Sequence, residues 1–121
     1  MRLEYITGPV RVWPFNPISA SVLNHGAMKE LVRIRIYQRD AAGALSLLIV
    51  DTGDIEVIAT GTYGAGIPAP VETDFWVQIN TSSESLIPTA TFGSVAAGLP
   101  NSVIFCSPGD FAVFESGRRR I

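Results

Sequence analysis

Between Val32 and Tyr37 the chain alternates, with Val32, Ile34 and Ile36 on one side and Arg33, Arg35 and Tyr37 on the other. A repeat of two residues puts one row of side chains in a dry layer and the other in water, which only a β-strand does. Val71 to Asn80 repeats the pattern at greater length. Val71, Thr73, Phe75, Val77 and Ile79 form one row; Glu72, Asp74, Trp76, Gln78 and Asn80 form the other. β-Branched residues at alternate positions oppose a helix. Eight Pro and eleven Gly separate the apolar runs and leave no room for a long helix.

The rest of the chain follows the same grammar. Gly8–Phe15 is expected to be an edge strand, because Pro9, Pro14 and Pro17 cannot donate to a ladder. Ile18, Ala20 and Val22 are expected to point inward and Ser19 and Ser21 outward. Asp40–Gly43 reads as a turn, Ala44–Val50 as a return strand covered on both faces, and Asp51–Asp54 as a second turn into Ile55–Thr60. Gly61–Pro70, with three Gly and two Pro, reads as a long loop. Leu86–Phe92 is a further strand. Ser102–Cys106 and Phe111–Phe114, joined by Ser107–Asp110, read as a closing hairpin. No internal repeat is visible.

These signals predict an all-β chain of eight or nine strands, folded as a two-layer antiparallel, immunoglobulin-like β-sandwich. A small closed barrel is the alternative. Residues 1–117 form one domain and 118–121 a basic tail. With 47% apolar and 17% charged residues, the chain can fill a core without staples. One cysteine, Cys106, rules out an internal disulfide and reads as a core residue.

Charge narrows the partners. Three of nine basic residues sit in Arg118–Arg120, leaving six against eleven acids, or −5, in residues 1–117. An acidic body does not suit phosphate backbones, so nucleic acid is not expected as a partner. Neither an apolar leader nor a membrane-length run is present, so no membrane partner is expected and the cytoplasm is the default location.

Candidate chemistry is sparse. His25 reads as a turn residue, and one His and one Cys do not make a zinc site. Asp51, Asp54, Glu56, Glu72 and Asp74 would offer oxygens to calcium only if the strands brought them together. No metal or cofactor is expected. The binding candidates are aromatic: Trp76 among acids and amides, Trp13 and Phe15 on the Pro-rich edge, and Tyr63 in the Gly-rich stretch. A Trp in such company is either a carbohydrate platform, a protein anchor, or core in a sheet covered on both sides.

Two resemblances add expectations. The run Leu31–Val50, a V-x-I-x-I strand followed by Asp-x-x-Gly and an apolar return, resembles small bacterial immunoglobulin-like modules. That implies a non-catalytic scaffold or adhesion role. Leu48–Gly53, ending in Asp51-Thr52-Gly53, is similar to the active-site loop of retroviral-type aspartic proteases. That implies a homodimer in which Asp51 of two subunits shares a proton, with Gly61–Pro70 as a flap. The leading expectation is a non-catalytic module for self-assembly or protein binding. Carbohydrate binding is the second, and the dimeric protease with Asp51 the third.

Overall fold

A computed structural model describes residues 2–40, 46–95 and 102–115. Their strands are β1 (Leu3–Ile6), β2 (Val10–Val12), β3 (Pro17–Asn24), β4 (Glu30–Arg39), β5 (Ser46–Asp51), β6 (Ile55–Val57), β7 (Thr62–Pro68), β8 (Thr73–Thr81), β9 (Leu86–Gly93), β10 (Val103–Cys106) and β11 (Ala112–Glu115). A single 3-10 turn at Pro108–Asp110 is the only helical element among the described residues. The larger sheet runs β11-β1-β8-β4-β5, with β2 also on β8 and β6 also on β4. The smaller runs β10-β9-β3-β7. All pairings are antiparallel. The two sheets make a β-sandwich, not a closed barrel.

The core lies between the layers. Val32, Ile34 and Ile36 of β4 and Phe75, Val77 and Ile79 of β8 face Ile18, Ala20 and Val22 of β3 and Leu86, Ala90 and Phe92 of β9. Each large side chain fully buried there contributes about 1.5–3 kcal/mol. Cys106 is buried with them. The alternation therefore places the inward rows as expected, except that Val71 lies before β8 and is exposed.

Two rails of the larger sheet are broken in the same way. On β8, Ile6 pairs with Gln78 and Val10 with Phe75, so Thr7, Gly8 and Pro9 stand against only Val77 and Trp76. On β4, Asp51 pairs with Arg35 and Ile55 with Val32, so Thr52, Gly53 and Asp54 stand against only Arg33 and Ile34. Each is a β-bulge with one extra residue. Counting each broken rail once reduces eleven strands to nine.

The bulge corrects the reading of Asp51–Asp54 as a hairpin turn. The chain does not reverse there; β5 and β6 run on in one direction along β4. Three further expectations are revised. Gly61–Pro70 is not a loop, since Thr62–Pro68 is an edge strand on β3. Tyr63, Ala65 and Ile67 pack toward the core, while Gly64 and Gly66 face out. The glycines hid a regular period of two. A Cβ on Gly66 would lie 2.8 Å from the Ile18 carbonyl, so close approach to β3 explains glycine there. The return strand is not covered on both faces. It is an edge, with Leu47 44% and Leu48 49% exposed. Finally, β10 and β11 are not a hairpin: β10 pairs with β9 in the smaller sheet and β11 with β1 in the larger. The Ser107–Asp110 turn carries the chain across the sandwich instead of back along it. The expected Asp40–Gly43 turn, the start of the return strand at Ala44 and the Arg118–Arg120 tail fall wholly or partly outside the described residues.

Candidate functional site

Strands β8 and β4 lie side by side at the middle of the larger sheet, and their outward rows form one surface. Tyr37 pairs with Trp76, Arg35 with Gln78, and Arg33 with Asn80. The Tyr37 and Trp76 rings stack, with centroids 5.8 Å apart and planes 12° apart. Both are half-buried. Trp76 is therefore on the outer face among polar groups, and Tyr37 shares that face with Arg33 and Arg35.

Most of the surrounding charges meet a partner. Arg39 Nε donates to Asp74 at 3.2 Å, and Arg11 Nε donates to Glu72 at 3.0 Å. Gln78 Nε2 donates to Glu4 at 2.7 Å. Lys29 lies 3.6 Å from Glu56 and Arg2 lies 3.9 Å from Asp54. The five acids weighed for calcium thus meet separate cations. Among the described residues no three or more His, Cys, Asp or Glu group together as metal ligands.

Asp51 sits on the same face, gripped by arginine. Arg33 Nε and Nη2 donate to its two oxygens at 2.8 and 2.7 Å, and the Gly53 amide donates to Oδ1 at 3.0 Å. Arg35 Nε lies 3.6 Å away. The Arg33 hydrogen bonds, then the Gly53 amide, hold this carboxyl well below the usual carboxylate range. Gly53 has φ 67°, a conformation glycine adopts without strain, and it aims that amide. A carboxylate so held favours its ionised form, whereas a proton-sharing dyad needs one partner neutral.

The other aromatic candidates lie elsewhere. Tyr63 packs against the core from β7. Trp13 is half-buried where the chain leaves the larger sheet for the smaller. Phe15, in the same crossing, is 83% exposed at φ 67°. Its amide is fixed to the Ala69 carbonyl at 2.7 Å. Trp76, Trp13, Phe15 and Tyr63 do not form one site. The partner of Trp76 is Tyr37.

A second notable surface is the flank where β10 and β11 end their sheets. Five residues separate these strands, so both edges lie on the same side. Val103 and Phe105 are each 59% exposed and Phe114 55%, and Ile104 and Val113 are exposed beside them. Cross-strand partners put Ile104 with buried Phe92 and Val113 with Tyr5, so these two stand at the open lip between the layers. No sequence signal showed this, because the local turn does not say which sheet the next strand joins.

Fold and surface together define a two-sheet β-sandwich with a paired-charge aromatic face and one apolar flank. No family model matches the chain, and no curated protein matches it in sequence. Among solved structures it is similar to the crystal structure of Thermotoga maritima 1070, with a TM-score of 0.52 and 10% identity over 86% of this chain and 90% of that chain. It is also similar to the Anabaena sensory rhodopsin transducer, with a TM-score of 0.45 and 20% identity over 70% and 89% of the two chains. The first likeness is one of fold.

Proposed function

We propose that the protein is a non-catalytic β-sandwich module that self-associates through its β10–β11 flank. The observation that carries this is the pair of largely apolar edges on one side. Val103–Cys106 contains no Lys, Arg, Asp or Glu, and Ala112–Glu115 carries a charge only at its last residue, Glu115. Edge strands are normally blunted by charge, proline or bulges. The other larger-sheet edges are blunted so. Pro9 and Arg11 interrupt the β2 edge, and Asp51, Asp54 and Glu56 punctuate the β5–β6 edge. The Gly8–Phe15 segment, expected to be an edge strand, therefore has the less suitable edge.

A second copy is the occupant that fits. An antiparallel edge is complementary to itself under a two-fold axis, so one copy supplies both halves of the contact. The apolar lip at Ile104 and Val113 adds burial to the backbone pairing. A scaffold role of the kind implied by immunoglobulin-like modules agrees with this reading.

Sedimentation velocity across a dilution series tests it. The wild type is expected to form a concentration-dependent dimer. Phe105→Lys combined with Val113→Lys is expected to return it to monomer with an unchanged far-UV spectrum. A wild type that stays monomeric at millimolar concentration overturns the proposal.

A further inference from the structure

The bulge at Thr7 does more than bend a rail, because it opens the space beside Trp76. Thr7 is buried, its hydroxyl tied to the Val77 amide of β8. Gly8, next along, has no side chain, and nothing lies within 4 Å of a Cβ built on it. The β1–β2 rail flanks the indole with Ile6, Thr7 and Pro9, while Tyr37 stacks on it from β4. What remains is a shallow, open depression of about 290 Å³ lined by Trp76, Ile6, Pro9, Thr7 and Arg39.

We propose that this slot binds a single neutral pyranose ring of a glycan, with Trp76 as the stacking surface. Its volume lies at the bottom of the range for small-molecule sites, about 300–1,000 Å³, which limits the occupant to about one ring. The indole, Ile6 and Pro9 supply apolar walls for the C–H faces of a sugar. The Arg39 guanidinium supplies a planar hydrogen-bonding group for its hydroxyls. Asp74 takes Arg39 Nε and fixes the guanidinium. Charge selects against anions: Arg39 is balanced by Asp74 and Arg11 by Glu72. The one cation of the lining, Arg39, is already neutralised by Asp74, so a phosphate or an acidic sugar gains little there. A purely aromatic ligand would leave the Arg39 guanidinium unused.

The test is amide and indole NMR on the full chain, titrated with the methyl glycosides of glucose, galactose, mannose and N-acetylglucosamine, and with a proline-rich peptide as comparator. At least one glycoside is expected to shift Thr7, Gly8, Arg39 and the Trp76 indole together. Trp76→Ala is expected to weaken that binding at least about tenfold. Gly8→Ile puts a side chain at the open rail and leaves both rings in place. It is expected to block the same shifts with the remaining spectrum intact. Shifts absent for all four sugars, shifts that persist in Gly8→Ile, or binding of the peptide alone would each overturn the assignment. The slot meets the β10–β11 flank at Ile6, the register partner of Ala112, but shares no lining residue with it, so a monomeric variant is expected to bind the sugar unchanged.

Discussion

Thr7 and Thr52 make the same two hydrogen bonds on opposite sides of the central strand pair. The Thr7 amide donates to the Val77 carbonyl and the Val77 amide donates to Thr7 Oγ1, both at 3.0 Å. The Thr52 amide donates to the Ile34 carbonyl and the Ile34 amide donates to Thr52 Oγ1, again at 3.0 Å. A side-chain oxygen takes the place of a backbone carbonyl, so an inserted residue leaves no central-strand donor orphaned. Ser82 does the same at the end of β8, where its hydroxyl accepts from Leu31 at 2.8 Å and its amide returns the bond at 2.9 Å.

Removing the hydroxyl should therefore cost more than an ordinary surface change. Thr7→Val and Thr52→Val keep the shape and leave the Val77 or Ile34 amide without its acceptor. Each is expected to lose about 1–3 kcal/mol in urea unfolding. The serine versions retain the acceptor and should stay within about 1 kcal/mol of wild type.

Asn24 should be among the costliest single polar losses. It is fully buried on β3. Its Nδ2 donates to the Met28 and Val57 carbonyls at 2.8 and 3.1 Å, and its Oδ1 accepts from the Gly26 amide at 2.9 Å and Ser85 at 3.2 Å. It ties β3 of one sheet to β6 of the other. Asn24→Ala strands several of these partners, and a loss of about 2–4 kcal/mol is expected by denaturant titration.

Asp51 gives a pH signature. Its folded value is depressed, so its contribution is complete above the unfolded carboxylate value, near about 4. The contribution is lost progressively as pH falls below that toward the folded value. Wild type should therefore lose more thermal stability between pH 7 and pH 3 than Asp51→Asn does, as read by circular-dichroism melting. Equal losses in the two proteins would show that the Arg33 pair is not linked to folding.

The two outward glycines of β7 should differ. Alanine at Gly66 drives its Cβ into the Ile18 carbonyl, a backbone atom that cannot swing away, and should cost about 1–3 kcal/mol. At Gly64 the nearest atom, the Ala20 carbonyl, is 3.3 Å away, and a change within about 1 kcal/mol is expected. Parallel melts of Gly64→Ala and Gly66→Ala check the order.

The inward rows of β3, β4, β8 and β9 were readable in the sequence because burial imposes a strict alternation on side-chain type. Features set by pairing partners were not. The β7 strand was hidden because glycine at its outward positions erased the polar half of the pattern. The return strand at Leu47 and Leu48 reads as covered, yet its place at an edge exposes it. Asp51-Thr52-Gly53 looked like a turn or a catalytic loop, since the bond from Thr52 to Ile34 joins distant parts of the chain. Ile6-Thr7-Gly8-Pro9-Val10 and Asp51-Thr52-Gly53-Asp54-Ile55 share Thr-Gly at matching places, a faint repeat that acquires meaning only with the register. Trp76 was legible on the polar row of its strand, with core left as an alternative; its stacking on Tyr37 was not legible.

Leu3 lies opposite both Thr81 and Glu115. Strand β1 thus waits for β11, made long after it, before its second side is covered. At about 5–20 residues per second this delay lasts several seconds. During it the nascent chain carries Tyr5 and Leu3 without their final shelter. Such a distant closure makes folding slow for a chain of this length, and it makes the ribosome-bound form the stage most open to mispairing.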